Sequence, residues 1–309
     1  MTSHTAIHIT PPHRQFVPDG AENSADSVVI RLGCSLSYIA EERSQILLLV
    51  QPAPGFGQRI LSEEVAAGSG GALHQFTDSH GNKVLRTNLL PGLNEFRHDA
   101  VLVLPTPNID YGPRLDDSEG SQLPFNIVRY TLPSRYCEAD KLVGFATKQF
   151  STHKGLKTVQ NICDWTHHHL EYRYGSGDPT LSACEALRRG YGVCRDFAHV
   201  MVALCRALDI PARYAAGHIP LIGASIPDSD IGIDFHAYVE VYVEGVWRVF
   251  DPRYNRPDVR HIKVAHGADA VDAAFATYFG RVKPVEFEVW SYAISDGVSV
   301  GDGQSAATN

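Results

Sequence analysis

The first patterned stretch is residues 28 to 38, "VVIRLGCSLSY". Val28, Ile30, Leu32, Cys34, Leu36 and Tyr38 fall on one side of a two-residue repeat, with Arg31, Gly33, Ser35 and Ser37 on the other. That period predicts a strand with one face buried, and it places Cys34 in the apolar stripe as a packing residue. Shorter strand-like runs follow at 46–50 (ILLLV), 83–90 (KVLRTNLL) and 100–106 (AVLVLPT). The segments "APGFG", "GSGG" and "DSHGN" punctuate them as turns. Helical periodicity does not interrupt this region, so residues 26–108 are expected to form an N-terminal β-sandwich. The polar residues 1–25 are expected to be a flexible leader. Residues 109–130 are expected to be a linker, on the strength of the Pro-, Gly- and Asp-rich run "PNIDYGPRLDDSEGSQLP" at 107–124.

The spacing then changes. "EADKLVGFATKQF" and "GLKTVQNICDWTHHHLEY" carry apolar residues at helical intervals, among them Leu156, Val159, Ile162 and Cys163. "SACEALRRG" at 182–190 reads as a short helix with Ser182 and Glu185 as a capping box and Gly190 as its stop; Cys184 inside it reads as packing. From about 193 to 208, Phe197, Val200, Met201, Leu204, Cys205 and Leu208 share one stripe, which predicts a buried amphipathic helix ended before Pro211. "ARYAAGHIP" then reads as a strand. Residues 221–234 read as a solvated loop, because Asp228, Asp230 and Asp234 lack calcium-loop spacing. Helices on antiparallel strands over 131–295, with a flexible tail at 296–309, complete an α+β chain.

One hairpin can be read in register. In "DFHAYVEVYVEGVWRVFDP" at 234–252, Glu244-Gly245 is a two-residue turn, so facing residue numbers sum to 489. Asp251 then faces Tyr238, and His236 lies two residues away on the same side, within reach of an imidazole–carboxylate hydrogen bond. Phe235, Ala237, Val239, Val241, Val243, Val246 and Phe250 occupy the other side, with Arg248 its only charge; this is the side expected to be fully buried. A one-residue change in loop length would flip Asp251 to the opposite face.

Composition narrows the partners. Acidic residues outnumber basic ones 35 to 27, giving a net charge of -8, so no nucleic-acid partner is expected. No apolar run approaches the roughly 18 residues of a membrane span, and the first residues lack the form of a secretory signal; no membrane partner is expected. The six cysteines, at 34, 137, 163, 184, 194 and 205, include no CxxC pair, so no structural zinc is expected and reduced thiols in a cytoplasm are. The three histidines at 167–169 point in directions about 100° apart on a helix and cannot converge on one ion.

Cys194 stands apart among the thiols. It falls in the first turn of its predicted helix, after Gly190 and Gly192, where unpaired N–H groups and the helix dipole favour a thiolate. Its own backbone N–H is then a candidate oxyanion donor. His199 and Asp196 on the same helix lie about 140° and about 200° round from it and read as packing, capping or surface residues. A thiolate beside an imidazole held by a carboxylate is a general nucleophile–base–orienter set.

"GYGVCRDFAHVMVALCRALDIPARY" followed by "DFHAYVEVYVEGVWRVFDPRYN" resembles the transglutaminase-like superfamily, and more closely the bacterial members described as candidate cysteine proteases. "LPSRYCEADKL" at 132–142 resembles the segment that opens their catalytic domain. The resemblance implies a papain-like/transglutaminase-like catalytic domain at 131–295, with Cys194 as nucleophile, His236 as general base and acid, and Asp251 as the residue that orients it. It implies cleavage of an amide in a peptide or protein substrate through a thioester, with amine transfer or a non-catalytic binding role as alternatives, and no cofactor. Eukaryotic transglutaminases use calcium, and no calcium loop is recognisable here. A second oxyanion donor is not assigned; Tyr191 is left outside the catalytic set.

Overall fold

The computed structural model describes residues 27–53, 58–68, 72–105, 123–222, 234–256 and 259–294. The expected leader and tail, most of the expected linker, and Asp228 and Asp230 lie outside the described residues.

In chain order the strands are β1 (Ser27–Ala40), β2 (Ser44–Leu48), β3 (Arg59–Ala67), β4 (His74–Thr77), β5 (Lys83–Leu89) and β6 (Gly92–Pro105). Helices α1 (Phe125–Val128), α2 (Ala139–Phe150) and α3 (Leu156–His169) follow, then β7 (Glu171–Tyr172), α4 (Ala183–Arg189), β8 (Tyr191–Gly192) and α5 (Cys194–Arg206). The remainder is β9 (Ala212–His218), β10 (Phe235–Val243), β11 (Val246–Phe250), β12 (Ile262–Gly267), β13 (Ala276–Tyr278) and β14 (Val282–Ala293). Three four-stranded sheets run β14-β1-β6-β3, β13-β2-β5-β4 and β11-β10-β9-β12; β7 and β8 form a short parallel pair.

The sheet-rich region contains the expected strands but is not half-buried along β1. That strand lies between β14 and β6, and its polar side is covered too. Arg31 is buried because Asp99 on β6 accepts from both its Nε and its Nη2. Gly33 leaves room for the Trp290 ring of β14, which a Cβ would meet at 2.5 Å. The partners that cover this side come from far along the chain, which is why the local alternation suggested solvent there. Leu36 and Tyr38 on β1 share an apolar cluster with Ile46, Leu48, Leu85 and Phe96 from β2, β5 and β6.

Sheet membership does not follow the expected division of the chain. β14 pairs antiparallel with β1 and β13 with β2, although both fall within 131–295. Among the described residues, β13 and β14 therefore tie the N-terminal sheets to the helical part.

The helical part follows its spacing closely. Ser182 Oγ accepts from the Glu185 N–H at 3.4 Å, Glu185 returns the bond to the Ser182 N–H at 2.9 Å, and Gly190 ends the helix in the left-handed region at φ 76°. α5 is buried as expected: every residue from Asp196 to Arg206 is buried. It is surrounded by α2, α3, α4 and the β9–β10 sheet. Its one buried cation is satisfied by carbonyls, Arg206 donating to Ala212 at 2.9 Å, Leu132 at 3.1 Å and Ala268 at 2.7 Å.

Candidate active site

The start of α5 is built by Gly192, Val193 and Asp196. Val193 is the N-cap with extended backbone, φ -105° and ψ 177°. A valine side chain cannot accept a hydrogen bond, so only the return arm of a capping box forms: the Val193 N–H donates to Asp196 Oδ2 at 2.9 Å. A Cβ at position 192 would stand 2.4 Å from that same carboxylate oxygen, so glycine there makes room for the cap. The Asp196 carboxyl is fully buried, which raises its pKa against the opposing hydrogen bond from Val193. Cys194 is thus the first residue of α5, partly exposed, on the wall of a cavity of about 550 Å³.

The other thiols are placed differently. Burial pushes Cys34, Cys137 and Cys205 up to about 12 and Cys184 up to about 11, and it raises Cys163 as well. Buried thiols with raised pKa values are poor nucleophiles at neutral pH.

The β10–β11 hairpin has the register read from the sequence: Val243 faces Val246 and Val239 faces Phe250. His236 Nε2 and Asp251 Oδ2 are 2.8 Å apart. Asp251 is satisfied on all sides. Its Oδ1 accepts the backbone N–H groups of Arg253 at 3.0 Å and Tyr254 at 3.1 Å. Its Oδ2 also lies 2.8 Å from Nε2 of His261. Helix α3 holds the turn that follows: Asn255 donates to Asp164 at 2.9 Å, and His167 Nδ1 lies 3.1 Å from the Pro252 carbonyl. The adjacent His168 turns to the Asp164 carbonyl at 2.6 Å, and His169 stacks on Trp165, so the three consecutive rings diverge.

Electrostatics couple the three groups. Burial alone would lower the His236 pKa, but the charge and hydrogen bond of Asp251, followed by the hydrogen bond and charge of Cys194, carry it up to about 10. Burial would raise Asp251; the two imidazoles, His236 first, hold it well below the usual carboxylate range. Cys194 and His236 line the same cavity, and the sulfur interacts with the imidazole. With Nε2 engaged by Asp251, Nδ1 is the ring nitrogen left for the sulfur.

His199 and Asp196 take the roles expected of them. His199 is buried, stacks on Tyr136 at 5.3 Å and accepts from the Ala270 N–H at 3.2 Å; burial lowers its pKa well below normal. Asp196 is the cap.

The apolar side of β10 is buried as expected, and the His236 side is buried as well. Tyr238 and Glu240, on the His236 side, are each 1% exposed. Arg213 from β9 and Lys263 from β12 neutralise Glu240, partners that the hairpin alone cannot reveal.

Two residues of this region carry no local sequence signal. His261 precedes β12, and nothing in the local pattern ties it to Asp251, because β9 lies between β12 and β10. Tyr214 was read only as part of a strand. It lines the cavity, and burial raises its hydroxyl pKa, with the nearby Cys194 adding to the rise.

A cysteine opening a buried helix that packs on an antiparallel sheet, with histidine on one strand and aspartate just past the end of the next, is a papain-like arrangement. Residues 143–252 match the model of the transglutaminase-like superfamily. A solved structure from Cytophaga hutchinsonii, described as "a Putative Cysteine Protease", is similar over 88% of this chain and 93% of its own, with a TM-score of 0.74 and 27% identity. An uncharacterised protein of Mycobacterium leprae is 28% identical over 46% of this chain and 51% of its own length. An uncharacterised protein of Mycobacterium bovis is 33% identical over 34% of this chain and 36% of its own. The chain thus spans about half or less of the length of these curated relatives. No helix among the described residues is long and apolar enough to cross a membrane.

Proposed function

We propose that the protein is a cysteine-dependent amide hydrolase, acting on a peptide or protein through Cys194, His236 and Asp251. The observation that carries this reading is the coupling of His236 to both Asp251 and the Cys194 sulfur beside an open cavity. The likeness to a structure described as a candidate cysteine protease supports it.

In this reading the sulfur is held as a thiolate beside the His236 imidazolium. The thiolate attacks the carbonyl carbon, and the carbonyl electron pair moves onto oxygen. The Cys194 backbone N–H at the helix start and the Tyr214 hydroxyl serve as donors to that oxygen. Collapse breaks the C–N bond while His236 gives its proton to the departing amine, leaving a thioester on Cys194. Water then attacks the thioester, losing a proton to His236, and a carboxylic acid leaves as the thiolate and imidazolium are restored. Asp251 keeps the imidazole turned and its charge stabilised throughout.

The test is alkylation with iodoacetamide at pH 7, read residue by residue by mass spectrometry. Cys194 should be modified first, and Cys194→Ala should lose amide cleavage while unfolding at an unchanged midpoint. Equal, slow labelling of all six thiols would overturn the reading. Offering a labelled primary amine during turnover separates hydrolysis, which releases acid, from amine transfer, which retains the label.

A further inference from the structure

The cavity beside Cys194 has a chemical character of its own. Val264, Ala273, Leu49, Phe235, Val271 and Phe275 are among the residues that line it. The Phe235 and Phe275 rings stack 5.3 Å apart with 16° between their planes, and Phe275 lies 5.0 Å from Phe287 of β14. The wall is pinned to the N-terminal sheet, since the Leu49 N–H donates to the Phe275 carbonyl at 2.9 Å and Thr277 on β13 pairs with Leu47 on β2. The sheet-rich region therefore shapes this cavity as well as packing beside it.

The charged groups at its margin are engaged. Arg195 donates to the carbonyls of Pro179 at 3.0 Å and Leu181 at 3.4 Å, and its guanidinium lies over the Tyr136 ring. Asp178 Oδ1 accepts both the N–H and the hydroxyl of Thr180, at 2.8 Å and 2.7 Å. Asp234 Oδ1 accepts the Phe235 N–H at 2.7 Å. A charged side chain entering the cavity would shed water onto aliphatic and aromatic carbon. An apolar one would gain by the same transfer. The volume of about 550 Å³ lies in the range of ligand pockets and accommodates a large side chain together with adjoining backbone.

We propose that this cavity is the specificity pocket of the enzyme: it takes a large aliphatic or aromatic side chain flanking the amide that Cys194 attacks, with Phe275 and Val271 as specificity-determining residues. This rests on the reading of Cys194 as a nucleophile. Selectivity is a property of the walls and reactivity a property of the sulfur, so the two can be made to fail separately.

The experiment uses the full chain and peptidyl chloromethyl ketones of one length, differing only in whether Phe, Leu, Asp or Lys adjoins the reactive group. The rate of Cys194 modification is followed by mass spectrometry, with iodoacetamide as the reagent that ignores the pocket. Phe and Leu reagents should react roughly ten- to a hundredfold faster than Asp and Lys reagents. Val271 is 49% exposed, so Val271→Asp should fold normally. It should narrow the Phe-over-Lys preference by about tenfold, read as the ratio of the two reagents' rates on the same protein. Equal rates across the four reagents, or a preference for Lys, overturn the pocket inference when iodoacetamide still selects Cys194. Indiscriminate iodoacetamide labelling overturns the nucleophile and this inference with it.

Discussion

Asp251 and Glu240 serve the same side of one sheet, and each is a buried carboxylate with two basic partners. Asp251 holds His236 and His261, both at 2.8 Å. Glu240 holds Arg213 Nε at 2.6 Å and Lys263 Nζ at 2.6 and 2.9 Å. Both are acidified against burial, Glu240 to about 2 by Arg213 and Lys263, and Asp251 further by its imidazoles. The difference lies in what the partners touch. Lys263, lowered to about 7 by burial and then by Arg213, is enclosed, and the Arg213 guanidinium is covered by the Trp247 ring at 3.9 Å. His236 reaches a cavity and a sulfur. The same pairing physics builds an enclosed ion cluster in one place and, in the function proposed above, the active site in the other. A shifted pKa identifies the second only together with access and a nucleophile.

The sharpest way to break this contrast is to neutralise each carboxylate. Asp251→Asn keeps the side-chain shape but removes the charge that fixes the imidazole tautomer. Turnover should fall by about 10³- to 10⁴-fold, with the protein still folded. Full activity would mean that another group orients His236. Glu240→Ala should do the reverse. Removing one partner of a buried charge cluster costs about 3–5 kcal/mol of folding stability, measured by urea unfolding, because two cations are left without their carboxylate. In the protein that remains folded, the rate of Cys194 alkylation should stay within about twofold. A parallel fall in that rate would mean the Glu240 cluster is part of the site.

A pH series sharpens the comparison further. His236 has a folded pKa near 10 against an ordinary 6.5. Its contribution to stability is therefore complete below about 6.5 and is lost as pH rises through about 10. The stability difference between the wild type and His236→Gln should shrink over that window. Lys263, with a lowered pKa, contributes a slope of the opposite sign, but it is common to both proteins and cancels. A difference that stays flat from pH 6 to 10 would show that His236 is neutral in the folded protein.

Particular residues show what could be read before the fold was known. His236 and Asp251 were legible because a two-residue turn fixes the register of a hairpin, and both residues fall within eight positions of that turn. Cys194 was legible from its place at a helix start. The purpose of Gly192, room for the Asp196 carboxylate, follows from the cap geometry and not from the local sequence. Arg213 was not legible as a partner because no two-residue turn fixes the register of β9 on β10, and Lys263 and His261 were not because β12 lies beyond β9, out of chain order. The burial of both faces of β1 was hidden for the same reason, since β14 comes about 250 residues later. Local period shows which faces differ from one another. It does not show what arrives from elsewhere to cover the polar one.

The smallest expected effect belongs to His261, and it tests the comparison at its finest point. His261 reaches substrate only through Asp251, so it is a positioning residue whose N–H occupies one lone pair of the carboxylate. His261→Gln can keep a donor to Asp251 Oδ2, whereas His261→Ala removes it and opens a space beside Tyr238, whose ring lies 4.4 Å away. The alanine variant should turn over about tenfold more slowly, the lower end of what a hydrogen bond to a charged group is worth, and glutamine should restore most of that loss. A merely structural role would lower the unfolding midpoint of both variants and leave the pH profile of turnover in place. A positioning role requires that profile to shift in the alanine variant and return in the glutamine one, since Asp251 relieved of one partner interacts more strongly with His236. If both variants match the wild type in rate and profile, Asp251 holds His236 without help, and the resemblance between its cluster and that of Glu240 is one of composition alone.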